Sequence, residues 1–405
     1  MQRQTATYLV LVVLAVYLLW PSAPPSPLRP SLVPAASPAA LRRSLSAARV
    51  IEMATQSPLY NVRVPDTPGH AAAKAWLMAQ LRQIDGFELT VHEFVDDTPL
   101  GRKAFANLIA SSAPDAPRRI VLGAHYDSKL FDGFEFRGAI DSAVPCAMLL
   151  ELAAGLSPLL PSAPPDLGFD IVLFDGEEAF VDWTATDSIY GARALAAKWA
   201  AEDRLARIEL FTLIDLIGTG RHVFHDAHPA SSGVFNRLAD IEAAGRAAGW
   251  ISDYQTPSYF RRGPSRMTVE DDHIPFLRRN VPVLHLIPVP FPSSWHTHAD
   301  SASALEPKPI ADILGILAEW LHSLVRPAAR RNLRPRRPAH GMTKDEFLAR
   351  IGRECDQYAD AFESWDELFS LRGLDMKKRN IPVRQRRWIL RKTEMYRQQH
   401  EPSDD

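Results

Sequence analysis

The chain has 405 residues, enough for one large α/β domain of roughly 250–300 residues with smaller appendages. Its 46 Lys and Arg nearly balance 48 Asp and Glu, so the molecule as a whole is not built to bind a polyanion, and any nucleic-acid contact would be local. With only two cysteines, Cys146 and Cys355, in unrelated contexts, the composition excludes a disulfide framework and a thiolate metal site, so a metal would need His and carboxylate ligands.

Residues 1–40 are predicted to direct the chain to a membrane system. An apolar run over 8–20 follows a lone Arg3 and precedes a Pro/Ser/Ala-rich stem. The run has 13 residues, fewer than the roughly 20 that span a bilayer, which favours a cleaved signal peptide, whereas the prolines where cleavage would fall favour a retained membrane anchor. Both alternatives predict the secretory pathway, as an ER or Golgi membrane-anchored protein or as a secreted one.

Residues 41–325 have the pattern of one globular catalytic domain. Helical periodicity predicts helices over 41–53 and 71–84, the second starting near Pro68. Strand-like runs follow at 87–94, 106–110, 119–124, 168–174, 208–217 and 281–287. Most are separated by stretches of helical character, and a last helix is predicted over 307–324. The alternation predicts an α/β fold, a three-layer sandwich with a mostly parallel central sheet.

The last part of the chain is predicted to be a linker followed by a small all-helical module. Residues 326–341 are rich in Arg and Pro and have no apolar periodicity, which is typical of a linker. Capping-box signatures at 343–346 and 364–367, and a helix opened by Pro382, predict the helical module over 342–400.

Acids and histidines follow the predicted strands, where functional groups gather in open α/β sheets. They are Asp141 after the strand 119–124, Glu177 and Glu178 after 168–174, Asp215 at the end of 208–217, and His296 after 281–287. Neighbouring side chains of an extended segment point in opposite directions, so one of two adjacent glutamates can bind a metal while the other moves protons. Zinc accepts one nitrogen and two oxygen ligands, a set that Asp141, Glu178 and His296 supply. A helix cap at Asp141 and solvated glutamates are the alternatives.

Six stretches carry a more specific pattern. They are HYDSKLF (125–131), DSAVPCAMLLELA (141–153), FDGEEAF (174–180), DSIYGARALAAK (187–198), LIDLIG (213–218) and DDHIPFLRRNVPVLHLIPVPFPSSWHT (271–297). Through them the chain, from about Ser44 to Leu324, resembles the glutaminyl-peptide cyclotransferases, which share the fold of the zinc aminopeptidases. The resemblance implies a zinc-dependent acyltransferase that converts the N-terminal glutamine of peptides or proteins to pyroglutamate and releases ammonia.

The resemblance also implies a role for each matching acid. Asp141, Glu178 and His296 would bind one zinc ion per chain, and Glu177 would be the general acid/base.

The resemblance also implies roles for five further residues around the metal site. Asp215 and Asp271 would form a hydrogen-bonding network with Glu177. Trp183, Phe291 and Trp295 would line the pocket for the glutamine side chain, although core packing is the alternative for each tryptophan.

Two other functions stay open. A two-zinc aminopeptidase of the same fold would bind its second metal through His125 and Asp215, with Asp141 as a bridge. The tryptophans and the pair Asp271-Asp272 favour the cyclotransferase, because two adjacent carboxyl groups near Asp215 favour proton sharing over metal binding. The third function is a non-enzymatic scaffold that uses the C-terminal module.

One position departs from the family pattern. Its secretory members usually have a cysteine where this chain has Ala124, so a disulfide from that position to Cys146 is not expected. Among the other histidines, His285 is expected in the core or behind the site, and His273 and His298 are expected in surface loops.

The C-terminal segment 347–397 resembles the IGR-motif domain of a fungal mitochondrial small-subunit ribosomal protein. The triplet Ile351-Gly352-Arg353 and the basic run 384–387 carry this resemblance. The basic helix could contact RNA phosphate or form a solvated face. Either the fusion is genuine, or two neighbouring genes have been joined.

Overall fold

Six strands form the central sheet of the computed structural model, which describes residues 37–220, 222–251, 258–265, 269–325, 342–371 and 373–399. The strands are β1 (Glu88–Thr98), β2 (Gly101–Ser111), β3 (Arg118–His125), β4 (Leu167–Phe174), β5 (Ile208–Ile214) and β8 (Val283–Leu286). The sheet order is β1-β2-β4-β3-β5-β8, and β6 (Phe224–Asp226) pairs with β7 (Phe260–Pro264) in a separate two-stranded sheet.

The pairing confirms a mostly parallel sheet. Strands β4, β3, β5 and β8 are parallel to one another, whereas β1 and β2 form an antiparallel hairpin and β2 pairs antiparallel with β4. Because β3, β4, β5 and β8 run in one direction, the loops that follow them emerge at one edge of the sheet.

Helices cover both faces of the sheet and give the predicted three layers. They are α1 (Pro38–Ser44), α2 (Ala47–Gln56), α3 (Pro68–Arg82), α4 (Val144–Leu156), α5 (Tyr190–Ala201), α6 (Ser232–Ala247), α7 (Ile274–Leu277) and α8 (Pro307–Val325). Alternate residues of the strands enter different cores, so Ile120 and Leu122 pack in the core that includes α1 to α4, α6 and α8, while Val121 packs with α5 and α7. With both faces buried, the central strands are continuous apolar runs.

The helix predicted over 41–53 is two helices. Leu45 is extended, and Ser46 caps α2 by accepting a hydrogen bond from Arg49 N at 3.2 Å. The backbone N–H of Ser46 donates to the buried carboxylate of Glu151 at 2.7 Å, which fixes the break from across the core.

The predicted signal or anchor over 8–20 lies outside the described residues and stays a prediction. Among the described residues, the run Ala139–Ser162 is long and apolar enough to cross a bilayer, but 83% of its most apolar stretch is buried inside the protein. Such burial is typical of a core helix in a globular domain.

Residues 342–399 form a separate compact unit of helices, α9 (Lys344–Ile351), α10 (Trp365–Ser370), α11 (Gly373–Lys378) and α12 (Val383–Gln399). Aromatic rings fill its core, where Phe347 contacts Trp365, Phe369 and Tyr396. The capping box predicted at 343–346 is confirmed, because Thr343 and Glu346 exchange hydrogen bonds at the start of α9. At the second predicted position the Ser364 side chain accepts from Glu367 N, which is one of the two hydrogen bonds of a capping box.

The IGR triplet has a structural role in this unit. Gly352 ends α9 with a φ of +70°, a conformation that favours glycine. The indole N–H of Trp388 on α12 donates to the carbonyl of Ile351 at 2.8 Å, and the guanidinium of Arg353 lies 3.7 Å from the centre of the Trp388 ring. The triplet therefore holds α12 against the end of α9.

Candidate active site

The loops after the parallel strands bring the three predicted metal ligands together. Asp141 lies in the turn Ala139–Ala143 that leads into α4, Glu178 follows β4, and His296 follows β8. One donor atom from each lies within 4.8 Å of the other two. His296 Nε2 is 3.2 Å from Asp141 Oδ2 and 3.2 Å from Glu178 Oε1.

This donor set fits a divalent cation such as zinc. Asp141 Oδ2 is buried and, apart from its ionic contact with His296, makes no hydrogen bond, as expected of a metal-binding atom. Burial raises the pKa of Asp141, but contacts with His125 and His296 outweigh it and hold that pKa well below its usual range. Burial and the nearby Asp141 raise the pKa of Glu178, while the two carboxylates raise the pKa of His296 to about 9 despite its burial.

Glu177 lies beside these ligands and is not one of the three. It lines a cavity of about 440 Å³ that Asp141, Glu178 and His296 also line. Burial raises the pKa of Glu177 well above its usual value, and the neighbouring Glu178 and Asp271 raise it further. A carboxyl group in this position can hold or release a proton next to a bound ligand.

Asp127 fixes the backbone of the glutamate pair. Its Oδ1 accepts from Glu177 N at 3.0 Å, its Oδ2 accepts from Glu178 N at 3.1 Å, and Oδ1 lies 3.4 Å from His125 Nδ1. Sequence reasoning did not assign this residue, although it lies inside the 125–131 motif. An acid two residues beyond a strand-end histidine was the available signal.

The three predicted pocket aromatics line the same cavity. Trp183 is 41% exposed and Trp295 is 38% exposed, so neither is a core residue. Trp295 stacks on His296 with ring centres 4.0 Å apart, and Phe291 meets Trp295 edge-on at 4.8 Å. The Trp183 indole N–H donates to Glu270 Oε2 at 3.3 Å.

Asp215 and Asp271 also line the cavity. Their contacts in the structure are with His125, His285 and Asp272. Asp271 Oδ2 is 2.7 Å from His285 Nε2, and Asp271 Oδ1 accepts from Asp272 N at 2.6 Å. Asp215 Oδ1 lies 3.5 Å from His125 Nε2. Burial raises the pKa of Asp215 to about 7. Within the described residues no hydrogen bond joins Asp215 to Asp271, so their network with Glu177 stays a prediction.

A second group of possible ligands overlaps the first. His125, Asp141 and Asp215 each have a donor atom within 4.8 Å of the others, with His125 Nε2 3.1 Å from Asp141 Oδ1. These are the three residues that the two-zinc alternative requires for its second metal.

The two cysteines do not pair, as expected, and both are buried. The Cys146 thiol donates to the His125 carbonyl at 2.9 Å, and burial raises its pKa to about 12. Ala124 is fully buried beside this site, so packing fills the position where family members have a cysteine.

Two buried charged residues that sequence reasoning missed fix the main chain around Asp141. Arg63 donates to the carbonyls of Tyr126 at 2.7 Å, Gly138 at 3.2 Å and Asp141 at 3.4 Å. Asp300 Oδ1 accepts from the backbone N–H next to Asp141, that of residue 140, at 2.8 Å. No local pattern distinguishes these two residues, because their partners are distant in sequence.

The expectation of a surface position for His273 is wrong, since this side chain is 1% exposed and packs between His228 and His285. The rings of His228 and His285, which come from other segments, cover this side chain. His298 is exposed, as expected, and contacts Phe134.

Family models match two parts of the chain. Peptidase family M28 matches residues 107–321, and the small ribosomal subunit protein mS41 SAM domain matches residues 333–399. The second match confirms the resemblance carried by the IGR triplet.

Several known proteins are similar to 60% or more of this chain. The glutaminyl-peptide cyclotransferase of Drosophila melanogaster is 43% identical over 255 residues, which are 60% of this chain and 72% of that protein. That of Bos taurus is 40% identical over 289 residues, 65% of this chain and 80% of that protein. The crystal structure of Macrostomum lignano glutaminyl cyclase aligns with a TM-score of 0.67 and 38% identity over 76% of this chain and 97% of that one.

Proposed function

We propose that this chain, which belongs to the glutaminyl-peptide cyclotransferases of peptidase family M28, converts the N-terminal glutamine of peptides and proteins to pyroglutamate with release of ammonia. One observation carries the residue assignment. Asp141, Glu178 and His296 converge within 4.8 Å, while the adjacent Glu177 lines the same cavity outside that group. The pair therefore divides into a ligand and a proton carrier.

Asp141, Glu178 and His296 are the proposed ligands of one zinc ion. When bound, zinc supplies Lewis-acid polarisation of the γ-amide carbonyl of the substrate's first residue. Asp127 and Arg63 hold the backbone of these ligands in place through the hydrogen bonds to Glu178 N and Asp141 O.

Glu177 is the proposed general acid/base. The substrate's α-amino nitrogen attacks its own γ-amide carbon, so a C–N bond closes a five-membered ring and the bond to the amide nitrogen breaks. Glu177 takes a proton from the α-amine and delivers it to the departing nitrogen, which leaves as ammonia. Because the nucleophile belongs to the substrate, the protein supplies orientation and proton transfer.

Trp183, Phe291 and Trp295 are proposed to hold the glutamine in the ring-closing conformation and to exclude water that would hydrolyse the amide instead. Asp215 and Asp271 are proposed to share protons with Glu177. Their position in the same cavity supports this role.

The activity is tested with the purified full chain, a glutaminyl peptide and a leucyl anilide. We expect pyroglutamyl product and equal amounts of ammonia from the peptide, no release from the anilide, and one zinc per chain. Glu177→Gln should lower turnover by about 10²–10⁴-fold without loss of zinc. The control is Glu202→Gln, the same change at an exposed glutamate that does not line the cavity. Zinc loss in Glu177→Gln, or full activity, would overturn the assigned role.

The second candidate is a two-zinc aminopeptidase, which the group His125, Asp141 and Asp215 favours. That activity predicts leucyl anilide cleavage and two catalytic metals per chain. Anilide cleavage without ammonia release would replace the cyclotransferase assignment.

We also propose the domain limits 1–40, 41–325, 326–341 and 342–400, with residues 8–20 as signal or anchor into the secretory pathway. Amino-terminal sequencing of the mature protein and its distribution between membrane and soluble fractions would decide between cleavage and anchoring. A mature chain that starts at Met1 in the cytosol would contradict both.

For the C-terminal module, the match to a ribosomal-protein domain supports a proposed RNA or ribosomal contact through α12, where Arg384 is exposed. Salt-dependent RNA binding that is lost on Arg384→Gln would support it. A peptide that spans residues 326–343 in the mass spectrum of the native protein would establish the fusion.

A further inference from the structure

Three histidines from separate segments meet behind the active-site cavity. His228 follows β6, His273 precedes α7, and His285 lies on β8. One ring nitrogen from each lies within 4.8 Å of the other two, and the ring centres of His273 and His285 are 4.2 Å apart.

The hydrogen bonding of the group leaves nitrogens for a ligand. His273 is 1% exposed and its Nδ1 has no hydrogen-bond partner, which is costly for a buried polar atom unless a ligand binds it. His273 and His285 are buried and His228 is partly so, and burial favours the uncharged form of His228 and His273. Uncharged imidazole is the form that binds metals.

His285 has the arrangement of a metal-binding histidine. Its Nε2 is 2.7 Å from Asp271 Oδ2, so Nδ1 is the nitrogen left to face the other two rings. Histidines that bind a metal through one nitrogen commonly donate the other N–H to a carboxylate, which fixes the tautomer. Asp271 supplies that carboxylate here.

We propose that His228, His273 and His285 form a second metal site, distinct from the catalytic ligands, for a borderline divalent transition-metal ion such as Zn²⁺ or Co²⁺. Three neutral nitrogen ligands suit these ions better than Mg²⁺ or Ca²⁺, which prefer oxygen. A bound ion keeps the Nε2–H of His285 directed at Asp271, and so links the site to an acid of the catalytic cavity.

The test isolates the histidine group from the acidic one. Among the described residues, Asp141 belongs to both of the other groups of possible ligands, so Asp141→Ala disables these two together and leaves the three histidines intact. The full-length Asp141→Ala chain, stripped of metal, is titrated with Co²⁺ and followed by visible absorption and by metal analysis. We expect about one Co²⁺ per chain. This readout does not require catalytic activity, so its outcome is independent of the cyclotransferase assignment.

His228→Phe in the Asp141→Ala background should weaken Co²⁺ binding by more than about 100-fold, since loss of an outer-shell partner alone typically costs 10–100-fold. His225→Gln is the matched control, because His225 lies three residues earlier, contacts the Val289 carbonyl at 3.1 Å and is outside the group. Circular dichroism verifies folding of each variant. A folded Asp141→Ala chain that binds no Co²⁺, or equal binding after His228→Phe, would overturn the proposal.

Discussion

Buried ionic groups lie at both ends of β3 and β4, but their hydrogen bonding differs. Toward the amino ends, Arg119 forms two hydrogen bonds to Asp170, one of them at 2.6 Å, and its remaining N–H groups donate to carbonyls of 112–114 and 169. Ser111 donates to the same Asp170 carboxylate. All donors of the guanidinium have partners, so this pair is complete without a ligand.

At the carboxyl ends of these strands, acidic side chains outnumber basic ones. Several of their buried polar atoms have ionic neighbours but make no hydrogen bond. Asp141 Oδ2, Asp215 Oδ1 and both ring nitrogens of His125 are buried without a hydrogen bond. Leaving such groups unsatisfied is costly, and the cost is offset when a cation binds. The comparison indicates that unsatisfied polar atoms, rather than burial of charge alone, distinguish a functional site from a structural one.

The largest effect is expected when a proposed metal ligand at the carboxyl ends of the strands is removed. Asp141→Ala should lose most of its zinc and lower cyclisation by at least about 10³-fold, equivalent to about 4 kcal/mol. Ser142→Ala, which removes the neighbouring unpartnered hydroxyl, is the control and should keep zinc. Metal analysis and ammonia release measure both effects, and an unchanged zinc content in Asp141→Ala would contradict the ligand assignment.

Breaking the Arg119–Asp170 pair should lower the stability of the fold and leave metal binding unchanged. Arg119→Met leaves Asp170 charged and buried, so we expect the free energy of unfolding in urea to fall by about 3–5 kcal/mol while the folded fraction keeps zinc. In the double variant Arg119→Met, Asp170→Leu, part of that loss should return because no buried charge remains. Zinc loss in the folded Arg119→Met protein would show that the Arg119–Asp170 pair also affects the metal site, and would contradict the comparison.

Asp127 shares a feature with each end of the strands. Both of its carboxylate oxygens accept hydrogen bonds, as in the Arg119–Asp170 pair, and those bonds position the glutamates of the candidate site. Asp127→Asn cannot accept from both glutamate amides, so we expect cyclisation or zinc affinity to fall by about 10–100-fold with little change in unfolding temperature. Asp166→Asn, a surface carboxylate near the other end of the sheet, serves as the control. A variant with wild-type kinetics would show that the two amide contacts do not position the pair.

The smallest effect concerns the loop that carries Trp183. Asp187 accepts from the amides of residues 180, 181 and 182 at 2.9, 2.9 and 3.1 Å and from Tyr190 OH at 2.8 Å. Although burial raises its pKa, these donors lower the pKa of Asp187 below its usual value. The contribution of Asp187 to folding stability is therefore fully present above the pKa of this carboxyl in the unfolded chain, about 4. It is lost as the pH falls through the lower pKa of the folded protein.

Asp187→Asn should lower stability by about 1 kcal/mol at pH 7, and the difference from wild type should shrink as pH falls below about 4. Thermal unfolding across pH 3 to 7 measures it. A difference that grows as the pH falls would contradict the assignment.

The sheet and the convergence of acids at its edge were predictable from the sequence. Central strands such as β3 and β4 have two covered faces, so they are apolar runs that end at polar loops, and parallel strands bring those loops to one edge. The ligand roles proposed for Asp141, Glu178 and His296 rest on the family resemblance in addition, because many acids follow strands in this chain.

The remaining features depend on contacts between distant segments. The break at Leu45 follows from the position of Glu151, and the position of Asp127 matters only once the amides of the glutamate pair are placed beside it. The same holds for His273, whose burial depends on neighbours from two other elements.

Substituting each of the two adjacent glutamates separately tests the central assignment most directly. Glu177→Gln and Glu178→Gln are the same chemical change at neighbouring positions, and the zinc content of each protein is measured after dialysis against a weak chelator. We predict that Glu177→Gln keeps one zinc per chain and loses turnover, whereas Glu178→Gln loses zinc. The reverse pattern, or equal zinc retention in both, would contradict the division into proton carrier and ligand.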